Sequence, residues 1–180
     1  TNPLGFFEND AINGINERIL EPFDHYKINK EFRSAEKGNS PYKPGYGHRW
    51  LTYLPAGTMV ESSDPGIDNA IAQAISKKCF AYKDPRFSYT LGVWNKHLHE
   101  DVMFICIFRQ PAAVVESVFK ECNTAEYLAN FHIQRDFIFQ LWFNSYSMVL
   151  EHYYPMLASR MIFVHYEQLL NRSVQNKLSE

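Results

Sequence analysis

Residues 104–117, FICIFRQPAAVVES, decide how the rest of the chain is read. Their first half belongs to a longer apolar run, VMFICIF at 102–108, which is continuous rather than alternating, the pattern of a strand covered on both faces inside a parallel sheet. The run ends abruptly on Arg109, and Pro111 then suits the first position of a helix, where its missing N–H has no helical partner in any case. In parallel α/β sheets ligands collect beyond the carboxyl ends of the strands, where helix N-termini present free N–H groups and positive partial charge. Arg109 stands at such a place. Its planar fork can grip a phosphate through two charge-assisted hydrogen bonds, and its charge is not removed by burial. Ser117 follows roughly two helical turns later, where a hydroxyl can return toward an anion held at the helix mouth. The plainer role for an arginine between strand and helix is an ordinary salt bridge, and spacing alone does not separate the two.

Outward from this unit, strand and helix signals alternate. Asn9 is an N-cap for a first helix in which Ile12, Ile15, Ile19 and Leu20 fall at helical spacing. Residues 22–66 carry five prolines with several glycines and aromatics, the composition of an irregular excursion on the substrate side. Ile67, Ile71 and Ile75 recur every four residues and predict a second helix from Ile67 to Lys78, started by Asp64 or Asp68. CFAY at 79–82 reads as a short buried strand, and the segment after it as a loop that turns helical around Trp94. The longest predicted helix runs from His132 to Tyr154, with Ile133, Phe137, Leu141 and Met148 on one face and Pro155 as its stop. MIFVHY supplies another strand and EQLLN a short helix. The class that follows is α/β, with a mainly parallel sheet flanked by helices. Residues 1–180 are read as one domain, long enough to bury about 70% of the surface of its unfolded form.

Composition narrows the function. Hydrophobic residues make up 46% and aromatics 16% of the chain, which excludes a disordered or fibrous protein. A net charge of −2 provides no global positive field for nucleic acid or an anionic membrane, so any anion site is local. Three cysteines, two of them in apolar runs, make no disulfide framework and point to a reducing, cytoplasmic setting. No signal peptide or apolar run of membrane-spanning length is visible, and neither a nucleic-acid nor a membrane partner is expected. The opening TNPLGFFEND begins mid-pattern without an initiator methionine, as a fragment or a processed chain does.

A second cationic element stands at the end of CFAY. Lys83-Asp84-Pro85-Arg86-Phe87 would bring positive side chains to a neighbouring strand tip, so that two tips converge on one anion. Lys83 is a compact charge suited to stabilise a transferring group; Arg86 either clamps an oxyanion or pairs with Asp84 or another carboxylate.

Taken in order, KDPRFSYTLGVW, FICIFRQPAAVVES, LWFNSY and FVHYEQLL resemble the sulfotransferases that use 3′-phosphoadenosine 5′-phosphosulfate, in particular the bacterial-type family with a K-D-P-R loop, an R-x-P-x-x-V-x-x-S segment and a Y-E-x-L-L segment. NPLGFFEN resembles the N-x-x-G-[FY]-F-E element that follows the phosphosulfate loop in that family, and the matches span residues 2 to about 171. The resemblance implies a P-loop NTPase-like sulfotransferase fold, incomplete at its N-terminus, and 3′-phosphoadenosine 5′-phosphosulfate as co-substrate. It assigns the nucleotide's 3′-phosphate to Arg109 and Ser117, and the bridging oxygen and moving sulfuryl group to Lys83. Arg86 is a further candidate ligand. Many cytosolic relatives place a histidine two residues after the lysine as general base, where this chain has Pro85. Other branches use a glutamate, which makes Glu8 the candidate base; a carboxylate near a helix start is also favoured there by the macrodipole alone.

Two family elements are not visible. The Gly-Thr/Ser-rich phosphosulfate loop would fall before Asn2, and the glycine- and lysine-containing segment near the C-terminus is not evident in SVQNKLSE. Weak nucleotide binding by the chain as given is the expectation. The primary expectation is transfer of a sulfuryl group to a hydroxyl on a small molecule or carbohydrate. Its competitors are a non-catalytic nucleotide- or anion-binding fragment of the same fold and a kinase-like nucleotide enzyme.

Other features are minor. His97 and His99 lack further ligands at recognisable spacing, and no metal is expected. Trp142 and Tyr146 are read as packing residues, and Glu167 as a residue that fixes the sheet-to-helix turn. Tyr42, Tyr46, His48, Arg49 and Trp50 form an aromatic and basic cluster against which an acceptor sugar or phenol can stack, though a loop tucked over the core explains them as well.

Overall fold

The computed structural model describes residues 9–23, 54–124 and 133–169. Helix α1 spans Asp10–Leu20, and the Asn9 side chain caps it by accepting from the N–H groups of Ala11 and Ile12 at 3.0 and 3.3 Å. Its inward face carries the expected Ile12, Ile15, Ile19 and Leu20, but also Asn16 and Glu17. After a single 3-10 turn at Glu21–Phe23, helix α2 covers Pro65–Ala74, with Asp64 as N-cap and Pro65 in the first turn. It ends sooner than its periodicity suggests, because Ile75 already leaves the helical conformation. Most of the proline-rich excursion, including its aromatic and basic cluster, lies outside the described residues.

CFAY forms no ladder among the described residues, contrary to its reading as a strand, and Cys79 is exposed rather than packed. Helix α3, Phe87–Asn95, begins directly after the K-D-P-R turn, earlier than expected. Strand β1 is Phe104–Phe108, and Pro111 opens α4, Pro111–Thr124, as its position predicted. Helix α5 spans Arg135–Ser147.

Pro155 does not stop this helix. The path widens into a π-helical segment at Met148–Tyr153, continues as α6 at Tyr154–Leu157 with the proline in its first turn, and ends in a 3-10 turn at Ala158–Arg160. The Tyr154 N–H reaches back to the Val149 carbonyl, five residues earlier, so the chain changes its hydrogen-bond spacing just before the residue that cannot donate. Strand β2, Met161–His165, and the short α7, Tyr166–Leu169, follow.

The two strands pair in parallel with register Phe104↔Met161 through Phe108↔His165. A helix-rich chain with a small parallel sheet, two strands among the described residues, is compatible with the α/β class. The first core joins α1, α2, α3 and the π-helical segment around Ile12, Ile71 and Trp94, with Phe104 and Cys106 packed against it from β1. A second core forms between α4 and α5 from Val115, Cys122 and Ile138, with Ile133 just ahead of α5. Burial pushes the Cys122 thiol up to about 12, so it packs as a small hydrophobe rather than a nucleophile. Strand β1 departs from its sequence pattern: Ile105 is 56% and Ile107 46% exposed, where coverage on both faces was expected.

Ile71 has no solvent exposure, and Ile71→Ala should lower unfolding free energy by about 2–5 kcal/mol in urea denaturation. Met156, 66% exposed on α6, should change it by under about 0.5 kcal/mol when replaced by alanine.

Candidate functional site

The register ends β1 and β2 side by side, so the residues after Phe108 and His165 leave the sheet together. Arg109 therefore meets the start of α7. Its Nε donates to Glu167 Oε1 at 3.3 Å, and its guanidinium carbon lies 4.7 Å from the centroid of the Tyr166 ring. The other Glu167 oxygen is 2.5 Å from His165 Nδ1, and the His165 backbone N–H donates to Gln168 Oε1 at 3.0 Å. Partial desolvation pushes the Glu167 carboxyl upward, but its own backbone N–H, Arg109 and His165 together hold it below the usual glutamate range. It stays ionised at neutral pH, and acidification through that lowered value would release its hold on Arg109.

This bridge is long, lies among half-exposed groups and engages only Nε, so it orients the guanidinium more than it neutralises it. Among the described residues no partner meets the two terminal nitrogens of Arg109. Ser117 is exposed on α4. Glu167 thus does more than shape a turn: it touches the arginine that the sequence singled out. The HYEQ run held the signal, since an acidic residue just past one parallel strand lies next to whatever ends the neighbouring strand.

The K-D-P-R turn divides its charges between surface and interior. Lys83 is exposed. Arg86 is only 5% exposed, with Nε donating to Asp84 Oδ1 at 2.8 Å and Nη1 paired with Glu17 of α1. The structure thus gives Arg86 the pairing role weighed in the sequence, not an open place against an anion. Asp84 also accepts from the Arg86 backbone N–H and from Asn16 Nδ2, each at 2.9 Å. Asn16 in turn accepts from Thr90 Oγ1 and Trp94 Nε1, both at 2.8 Å. Asn16 and Glu17 were not singled out from sequence, although two polar residues on the apolar stripe of α1 were a visible signal.

Between the segment that carries Lys83 and the strand that leads to Arg109 runs a cleft of about 1080 Å³, lined by residues such as Phe80, Tyr82, Ile105, Ile107 and Trp142. Neither Lys83 nor Arg109 itself lines the cleft: Lys83 falls between two lining residues, Tyr82 and Asp84, and Arg109 lies two positions past Ile107. Trp142 and Tyr146 pack as expected, with ring centroids 4.9 Å apart, and the Tyr146 hydroxyl donates to the Ile107 carbonyl at 2.9 Å. Burial, with a smaller contribution from Cys106, pushes that phenol up to about 12, so it remains a donor.

Glu8 lies outside the described residues, one position before the cap of α1. His97 is paired with Asp68 at 2.9 Å, and no group of three metal-ligating side chains occurs among the described residues. No helix among them is long and apolar enough to cross a membrane.

Two parallel strand tips with a helix opening beside them and a guanidinium at the end of β1 are an α/β arrangement. The chain belongs to the sulfotransferase family, whose family model matches residues 16–176. No curated protein and no solved structure matches it.

Arg86→Ala leaves two buried carboxylates without their cation and should destabilise the protein by about 3–5 kcal/mol. Urea denaturation of this variant against the wild type checks the loss.

Proposed function

We propose that this protein transfers a sulfuryl group from 3′-phosphoadenosine 5′-phosphosulfate to a hydroxyl acceptor, a small molecule or a carbohydrate. The observation that carries this reading is Arg109: a guanidinium at a parallel strand tip, steadied through Nε, with its terminal nitrogens unengaged among the described residues beside the opening of α4. Such a fork suits the nucleotide's 3′-phosphate, with Ser117 as a second donor. The family membership supports the reaction type.

In this mechanism the acceptor oxygen attacks sulfur in line as the bond from sulfur to the 5′-phosphate oxygen breaks. The acceptor proton passes to a carboxylate, for which Glu8 is the candidate, and the nucleotide leaves as the 3′,5′-bisphosphate. Lys83 steadies the charge that gathers on the bridging oxygen. The step needs alignment and charge stabilisation more than covalent catalysis, and in this reading an exposed lysine and an oriented arginine supply both. Arg86 belongs to the support of the site in this reading.

Calorimetric titration with adenosine 3′,5′-bisphosphate and with ATP tests it. The bisphosphate should bind in preference, and Arg109→Ala should weaken it roughly 10- to 100-fold, the worth of a charge-assisted phosphate contact. Preference for ATP would replace this reading with a kinase-like one. Selective bisphosphate binding without any sulfuryl transfer would mark a non-catalytic nucleotide-binding protein.

A further inference from the structure

We propose that Asn16, Asp84 and Arg86 are positioning residues for the transfer step, locking the turn that carries Lys83 onto the helix whose start follows Glu8. The proposal rests on the sulfotransferase reading above and adds three residues to it, none of which touches the donor.

A lysine at a strand tip would ordinarily be held by the ladder behind it. Here Cys79–Tyr82 has no ladder among the described residues, so within them no strand pairing fixes the turn that follows. Directional side-chain bonds do. Asp84, the next residue, is 5% exposed and accepts from Asn16 Nδ2 at 2.9 Å and from Arg86 Nε at 2.8 Å. Arg86 carries the connection to Glu17, and Asn16 carries it to Thr90 and Trp94 of α3. Asn16 is fully buried, and its carbonyl and amide are both used, so its side-chain orientation is over-determined. The same helix begins at Asn9, whose cap fixes the first turn directly after Glu8.

The lysine turn and the start of α1 are thus parts of one rigid body. Arg109 belongs to another support, made by β1, β2 and α7. Disturbing the lock should therefore separate catalysis from nucleotide binding. Misplacing a charge-stabilising group by about an ångström is enough to cost up to roughly a hundredfold in rate.

The test uses the full chain as wild type, Asn16→Ala, the near-isosteric Asp84→Asn, and Ile71→Ala as a core variant outside the lock. Release of sulfate from 3′-phosphoadenosine 5′-phosphosulfate to water gives kcat and KM, calorimetry gives the adenosine 3′,5′-bisphosphate Kd, and hydrogen exchange reports the amides of 83–87 and 104–108. Asn16→Ala and Asp84→Asn should lower kcat about tenfold or more, with Kd and KM within about twofold. Amides at 83–87 should exchange about tenfold faster, with those of β1 unchanged. Ile71→Ala should leave kcat within about twofold below its melting range. Unchanged exchange at 83–87, a Kd that rises in step with the fall in kcat, or an equal loss of kcat in Ile71→Ala would overturn the proposal. If the wild type binds no bisphosphate, the sulfotransferase reading fails, and the exchange data still decide whether the lock holds the turn.

Discussion

Glu17, Asp84 and Arg86 meet in a nearly dry space between α1 and the start of α3. Removing such charges from water costs several kcal/mol per ion, and the cost is met only where geometry and further hydrogen bonds satisfy each group. Asn16 supplies much of that satisfaction, with Thr90 and Trp94 completing its own bonds. These bonds are directional, unlike apolar packing, and they select one orientation of α1 against α3 and one path for the turn between. The first core then closes around them with Ile12, Ile71 and Trp94.

The Lys83 turn and the Arg109 strand tip therefore have different supports. The Lys83 side hangs on a buried ionic network; the Arg109 side hangs on backbone pairing of two parallel strands and on a solvent-facing carboxylate. Under the proposed sulfuryl transfer the contrast has a use. A group meant to stabilise moving charge needs a fixed position, while one that grips a phosphate needs unengaged donors and some access to water. Tyr166 beneath the Arg109 guanidinium and Glu167 at its Nε restrict its motion without filling its fork.

Much of this was legible in the sequence because the signals were local. Asn9 and Asp64 cap helices where a short acceptor side chain precedes an apolar stripe, and Pro111 opens a helix where its ring fits. The runs FICIF and MIFVH are both strands, and their parallel pairing brings Arg109 to a tip. The errors arose where local signals were outweighed. CFAY has the composition of a strand, but strand formation needs a partner ladder, and none reaches it among the described residues. Pro155 forbids one hydrogen bond; a π-helical segment changes the spacing before it, and the helical path continues. For Arg86 the sequence left an anion clamp and an ion pair both open, and the structure shows the pair with Asp84, joined by Glu17 from far back in the chain.

The sequence by itself determined the class of the fold, the place of Arg109 at a strand end and the family motifs around it, because capping, periodicity and apolar runs act over a few residues. Tertiary structure decided which cation of the K-D-P-R turn is enclosed. Lys83 and Arg86 are three positions apart and alike in charge, yet one lies at the surface and the other is enclosed by two carboxylates. That difference arises from packing α1 across the turn: Asp84 stands beside Arg86 in the sequence, but Glu17 reaches it only through the fold.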